Sequence, residues 1–230
     1  MTTTLPINTI IQGDCLEVMA DWPDGAVDLV LTDPPYGIGL SSHGQITMTR
    51  KPVIGDENQD VGRKVLLWCE KAGLPTIAFS SPKKPWPGQW RQHLVWNKGG
   101  AVGGGGDLGT CWKFSWETIQ VARTGTLNGC RQEAVLRYPV SQRDFHWHPN
   151  QKPVGLLTYL IWKTGAQVIL DPFCGSGSTC VAAKMLGRDY IGIDISSEYV
   201  AIARERLRAV DTGVPVAEAR NGQQGLFESL

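Results

Sequence analysis

The chain reads as an α/β protein built on a doubly wound, mostly parallel sheet. Three observations predict it. Apolar strand patterns alternate with helix patterns along most of the 230 residues, and that alternation implies parallel strands with helices on both faces. Four strand patterns run into an aspartate: Asp14, Asp33, Asp171 and Asp194. A glycine-rich run, Asp171-Pro172-Phe173-Cys174-Gly175-Ser176-Gly177-Ser178-Thr179, separates a strand from a helix in the last third.

Taken in order, Thr9 to Gln12 is a short strand ending at Gly13-Asp14, and Val27 to Thr32 a buried strand ending at Asp33. Val61 to Ala72 has helical periodicity and is closed by Gly73, a residue suited to a helix C-terminus. Thr76 to Ser80, His93 to Trp96 and Thr118 to Ala122 read as strands, and Gly99 to Gly106 as a loop. Residues 124–150 give no regular pattern. Pro153 to Lys163 predicts a helix with proline at its first position, where the missing N–H costs nothing. Gln167 to Leu170, Ser178 to Leu186, Tyr190 to Ile193 and Glu198 to Val210 follow as strand, helix, strand and amphipathic helix. The expected organisation is one domain over 1–210, with a recognition insert near 124–147 and a polar tail over 211–230.

Composition narrows the function. No apolar run approaches the roughly 20 residues needed to span a bilayer, and the N-terminus lacks the basic and apolar regions of a signal peptide. A cytoplasmic protein with no membrane partner is expected. The six cysteines form no CxxC pair and join no histidine at zinc-finger spacing, so reduced, packed thiols and no metal are expected. Net charge is zero but unevenly spread. Residues 1–82 hold 5 basic and 10 acidic side chains, residues 83–152 hold 10 and 4, and residues 153–230 hold 7 and 8. The basic middle third also carries six of the nine tryptophans. It is either a nucleic-acid face or, for individual tryptophans, part of the core.

In open α/β sheets, ligands bind beyond the carboxyl ends of the strands. The glycine run lacks the Gly-Lys-Ser/Thr of a nucleotide-triphosphate loop, and Cys180 stands where the dinucleotide fingerprint needs a third glycine. Asp194 lies 17 residues past Gly177, about where an acidic side chain takes ribose hydroxyls. The ligand implied is an adenosine without a pyrophosphate. Lys152, just before a helix start, is electrostatically misplaced: it is either a solvated side chain with no role or neutralises a bound carboxylate. S-adenosylmethionine (SAM) has the adenosine and the carboxylate and no phosphate.

Asp33-Pro34-Pro35-Tyr36 adds the chemistry. Two prolines fix φ and remove two donors, leaving a stiff corner rich in acceptors. The Asp33 carboxylate and the Pro34 carbonyl suit the two N–H bonds of an exocyclic amine, and Tyr36 offers a ring for stacking on a base.

With these motifs the sequence resembles the DNA amino-methyltransferases, the N6-adenine and N4-cytosine group. Asp33-Pro34-Pro35-Tyr36 is similar to their catalytic motif and Asp171 to Gly177 to their SAM loop. His148-Pro149-Asn150-Gln151-Lys152-Pro153 is similar to the motif completing the methionine pocket, and Gly13-Asp14-Cys15-Leu16 to the adenine-contacting segment. The catalytic motif precedes the SAM loop, which is the family's permuted, β-type order, on a Rossmann-like SAM-dependent methyltransferase fold. The resemblance covers roughly residues 9–210. It implies Asp33, Pro34, Pro35 and Tyr36 as the catalytic set. It implies contacts to the cofactor's adenine from Asp14 and Cys15, to the ribose from Asp194, and to the methionine part from Phe173, Gly175, Ser176 and Gly177 in the loop opened by Asp171. Lys152 would meet the carboxylate, and Asp33 would be shared between the two ligands. An Asp at the first motif position implies adenine N6; the alternatives are cytosine N4 or, less in keeping with the motif order, RNA or a protein glutamine. A catalytically silent DNA-binding module is a further alternative, opposed by the intact Asp33, Tyr36, Lys152 and Asp194.

The partner implied is double-stranded DNA with the target base flipped out. Gly37 to Asp56, with His43, Arg50 and Lys51, would cover the flipped base. Arg123, Arg131, Arg137 and Arg143, with the Gly99 to Gly106 loop, are the candidates for groove contacts. The insert offers only about 20–25 residues, Thr126 to Trp147, which predicts either a short recognition sequence or help from a second copy in a homodimer. Gln223-Gln224-Gly225-Leu226-Phe227 resembles peptides that dock on the bacterial sliding clamp; the alternative is that Leu226 and Phe227 cover an apolar surface.

Overall fold

The computed structural model describes residues 4–36, 59–99, 115–125, 127–139 and 151–213. Its strands are β1 (Thr9–Gln12), β2 (Leu29–Thr32), β3 (Thr76–Ser80), β4 (Gln92–Asn97), β5 (Trp116–Ala122), β6 (Val135–Arg137), β7 (Val168–Asp171) and β8 (Asp189–Asp194). They join in one sheet in the order β1-β8-β7-β2-β3-β5-β4-β6. β5 runs antiparallel to both of its neighbours, and the remaining pairs are parallel. The helices are α1 (Cys15–Val18), α2 (Asp60–Lys71), α3 (Val154–Thr164), α4 (Ser178–Met185) and α5 (Ser197–Thr212).

The central strands β2 and β3 are buried along their whole length because both faces are covered. Every residue of β2 is buried. Leu29 and Leu31 join a core with Leu156, Leu157 and Ile161 of α3, Val181 of α4 and Leu207 of α5. Val30, pointing the other way, joins Val65 and Cys69 of α2 together with Cys15 and Met19. Helices α3, α4 and α5 therefore cover one face, and α1 and α2 the other. Among the described residues, no helix is long and apolar enough to cross a membrane.

This winding positions a crevice. The chain leaves β7 through α4 toward β8, and leaves β2 through α2 toward β3, on the other side of the sheet. The carboxyl ends of β7 and β2, adjacent in the sheet, form the switch point at which such folds bind ligands.

Three local differences from the sequence reading have physical causes. β6 falls in the stretch read as irregular. It has three residues, of which only Leu136 is buried, too few to show a period, and it is defined by pairing with β4 from Val95 to Asn97. α1 is a single turn whose Leu16 amide donates to the Asp14 carboxylate. The third helix begins at Val154, not Pro153, because Pro153 keeps an extended ψ of 128° as its N-cap.

Candidate active site

The four strand-end aspartates predicted from sequence lie on four adjacent strands. Asp14 follows β1, Asp194 ends β8, Asp171 ends β7 and Asp33 follows β2, in the spatial order β1-β8-β7-β2. Gln12 of β1 sits opposite Asp194, and the Gly13 amide donates to the Asp194 carbonyl at 3.0 Å.

At the proline corner, the Tyr36 hydroxyl donates to Asp33 Oδ1 at 2.5 Å and the Lys152 ammonium donates to Asp33 Oδ2. Lys152 is 7% exposed. Its Nζ also lies 3.4 Å from Glu117 Oε2, while Lys98 Nζ donates to Glu117 Oε1. The ammonium is 5.1 Å from the Phe79 ring centre and 5.9 Å from those of Trp96 and Tyr36. The misplaced charge of Lys152 thus has two carboxylates of the protein as partners, which local sequence could not reveal. Burial pushes the Asp33 carboxyl up, with Glu117 adding to this and Lys152 and Tyr36 opposing it. Burial works against the Lys152 charge too, but Asp33 and Glu117 outweigh it and hold the ammonium above its ordinary range. Partial burial works against the Glu117 charge as well, yet Lys152 and Lys98 hold its carboxyl below the usual range.

Aromatic and backbone packing fix the corner from beneath. Trp86 is buried and its indole donates to the Phe79 carbonyl at 2.8 Å. Its amide donates to Gln120 Oε1 at 2.7 Å, and Gln120 Nε2 donates back to the Trp86 carbonyl. The Tyr36 ring stands 6.3 Å from the Trp86 ring. Gly62 of α2 lets Trp86 and Pro34 approach, since a Cβ there would lie 2.7 Å from the indole and 3.0 Å from Pro34 Cβ. Trp86 and Trp96, in the basic segment, are core residues.

A hydrogen bond ties this corner to the glycine loop. The Thr32 hydroxyl donates to Asp171 Oδ1 at 2.8 Å, and the Phe173 amide donates to the same oxygen at 3.2 Å. Asp171 is thus an internal brace. Its burial pushes the carboxyl up to about 6, against the hydrogen bonds from Thr179 and Thr32. The Gly175 amide donates to Asp194 Oδ2 and the Ser196 amide to Asp194 Oδ1, each at 2.8 Å. Gly175 has φ +50° and a Cβ there would meet nothing within 4 Å, so this turn faces open space. Gly177, at φ +81°, is packed on Ala203 of α5.

Arg206 of α5, which the sequence reading passed over, holds the loop from behind. It is 2% exposed, and its Nη1 donates to the Ser176 carbonyl at 2.6 Å and to the Ser176 and Ser178 hydroxyls at 3.1 Å. Burial pulls its guanidinium down to about 10. Cys15 packs in the core beside Met19 and Val27, and burial, with Asp14 beside it, pushes its thiol up to about 12. Among the described residues Cys15, Cys69, Cys174 and Cys180 are buried free thiols and Cys130 is exposed.

The groove candidates divide. Arg137 ends β6 on the same side of the sheet as the site, exposed and ion-paired with Glu133, and Arg131 is also exposed. Arg123 does not belong with them. It follows β5, and because that strand is reversed it emerges at the opposite end of the sheet, lining a cavity of about 230 Å³ with Arg63, Glu70 and Trp90. Arg143, the segment Gly37 to Asp56, Gly100 to Gly106, His148 to Asn150 and Gln223 to Phe227 lie outside the described residues.

Comparison with known proteins sets this geometry in a family. The family model for N6/N4 enzymes, described as DNA methylase, matches residues 62–205. The chain belongs to the N6/N4 DNA methylase family. This DNA methylase is 30% identical to YubD of Escherichia coli (strain K12), a protein named for methylase activity, over 94% of this chain and 96% of that one. It is 27% identical to the DNA adenine methyltransferase YhdJ of the same strain, over 86% and 82% of the two chains. Among solved structures, the M1.HpyAVI–SAM complex matches with a TM-score of 0.62 at 20% identity, covering 86% of this chain and 98% of that one. The cytosine-N4-specific PvuII DNA methyltransferase matches with a TM-score of 0.62 at 16% identity, covering 92% and 89%. The fold of this DNA methylase is therefore the α/β methyltransferase fold expected from the sequence, and its chemistry is amino-group methylation of DNA.

Proposed function

We propose that this DNA methylase transfers a methyl group from SAM to the exocyclic N6 of an adenine flipped out of duplex DNA. The observation that carries the reading is the Asp33 carboxylate. It is set on a stiff proline corner at the end of β2 and tied through Thr32 and Asp171 to the open glycine turn on the adjacent strand. Asp rather than Ser at the first motif position supports N6 over N4, as does the likeness to the DNA adenine methyltransferase YhdJ.

In this reading Asp14 and the backbone of Cys15 take the adenine of SAM and Asp194 the ribose. Phe173, Gly175, Ser176 and Gly177 form the methionine cradle, fixed by Asp171. The open space at Gly175 fits a ligand there. An ammonium has three N–H bonds, so Lys152 can reach a cofactor carboxylate while held by Asp33 and Glu117. The target amine donates one N–H to Asp33 and the other to the Pro34 carbonyl, which favours a pyramidal nitrogen with its lone pair outside the ring. That lone pair attacks the methyl carbon in line: the N–C bond forms, the C–S bond breaks, and the sulfonium charge passes to the amine. The methylated amine then releases a proton to Asp33 and on to water. Tyr36 stacks on the base, a contact worth about 1–3 kcal/mol. Exposed Arg131 and Arg137 supply phosphate contacts, the commoner use of arginine on DNA.

The test is to incubate the purified chain with unmethylated duplex DNA and methyl-labelled SAM and to identify the modified nucleoside by mass spectrometry. N6-methyladenine is expected, and Asp33→Ala should lose transfer while still binding DNA. N4-methylcytosine alone would replace adenine with cytosine as the target, and full turnover by Asp33→Ala would remove the mechanism.

A further inference from the structure

Glu117 closes the ion network beneath Asp33. It stands on β5 with a side chain 14% exposed, Lys98 on one carboxylate oxygen and Lys152 at 3.4 Å from the other. That second oxygen accepts no hydrogen bond among the described residues. Lys152 in turn holds Asp33. The four charges alternate in sign from Lys98 through Glu117 and Lys152 to Asp33 and sum to zero. Enclosing a second ion pair carries a desolvation cost, so such a network is weak evidence for added stability. It does have an effect at the site. Lys152 bearing on Asp33 alone would draw the carboxylate's lone pairs to itself, and a second carboxylate on the same ammonium divides that pull.

We propose that Glu117 is a positioning residue for methyl transfer, which through Lys152 keeps Asp33 available to accept the hydrogens of the target amine. The inference rests on the functional reading above and deepens it at the same site.

Glu117→Gln keeps the shape and an oxygen for Lys98 but removes the charge. The expected result is a kcat about tenfold lower, with KM for SAM and for DNA within about twofold of wild type. The acidic limb of kcat against pH should move to lower pH, because Lys152 then acts on Asp33 unopposed. The other groups facing or near Asp33, Tyr36 and Asp171, are the same in both proteins. Lys98→Met leaves the Glu117 charge uncompensated and should move the same limb to higher pH. Opposite shifts from two substitutions in one network are not produced by loosened packing. Wild-type kcat with an unmoved limb in Glu117→Gln overturns the inference, as do shifts of one sign in both variants. If Glu117→Gln does not fold, the direction of the Lys98→Met shift decides. The wild-type chain and Asp33→Ala are run alongside. Absence of transfer by wild type overturns the functional reading and this inference with it; an inactive Asp33→Ala beside a normal Glu117→Gln overturns the inference alone.

Discussion

Two glycines in one loop should fail in different ways when each is replaced by alanine. Gly177 has φ +81°, and a Cβ there would lie 2.7 Å from Ala203 Cβ and 3.2 Å from Ala203 Cα. The left-handed backbone costs alanine about 1–2 kcal/mol. The contact is with backbone and a methyl group of α5, which cannot rotate away, so overpacking adds about 1–3 kcal/mol. A loss near 3 kcal/mol lowers Tm by about 6–12 °C for a chain of this size. Gly175 has φ +50° and open space at its Cβ position, so Gly175→Ala carries only the backbone cost of about 1–2 kcal/mol, or about 2–8 °C. Its methyl group, however, projects toward the space assigned to the cofactor. Thermal melts with and without SAM, together with calorimetric titration, separate the two. Gly177→Ala is expected to be the less stable protein and to keep measurable SAM binding at low temperature. Gly175→Ala is expected to be the more stable of the two variants and to lose SAM affinity. A Gly175→Ala variant that binds SAM normally, beside a Gly177→Ala variant with wild-type Tm, would refute both the packing account and the assignment of the cradle.

Further predictions concern the braces around the site. Gly62→Ala puts a methyl group into the Trp86 ring and against Pro34. It should lower kcat by about tenfold or more through the displaced corner while leaving SAM affinity within about twofold, as separate titrations and turnover assays would show. Asp171 titrates at about 6 in the folded protein, above the ordinary carboxylate value of 3.8. The folded state therefore holds this proton more tightly than the unfolded chain. Its contribution to stability is full below about pH 4, falls as pH rises toward and through 6, and totals about 3 kcal/mol. Asp171→Asn keeps an acceptor for Thr32 and the Phe173 amide but has no such proton. Denaturation midpoints of the two proteins should thus diverge between pH 4 and 7, with wild type losing ground as pH rises; parallel curves would rule the account out.

Much of the site was legible in sequence because its parts are local. A proline corner, a glycine turn and strand-end aspartates owe their geometry to neighbouring residues, and the alternating pattern was enough to predict a parallel sheet with ligands beyond its carboxyl ends, although the strand order came only with the structure. Glu117 and Lys98 were not legible. Glu117 is an ordinary residue on β5 and Lys98 the residue that follows β4, and only the antiparallel pairing of those strands brings them together near Lys152. The same limit explains Lys152, whose charge seemed to need a ligand because its partners lie 35 and 119 residues away in sequence. Arg123 was misassigned for a related reason: strand direction decides which end of the sheet a flanking residue reaches, and composition does not report direction. Arg206 could have been suspected, since a lone arginine on the covered side of an amphipathic helix needs a buried acceptor.

The pairing of β1 with β8 has a consequence for biosynthesis. Asp14 emerges from the ribosome early, but the strand that seats it is made about 180 residues later. A nascent chain that stops before β8 lacks both the Asp194 neighbour and the Arg206 clamp, so such truncated products should be unable to methylate DNA, and activity should arrive only once β8 has paired and α5 has docked.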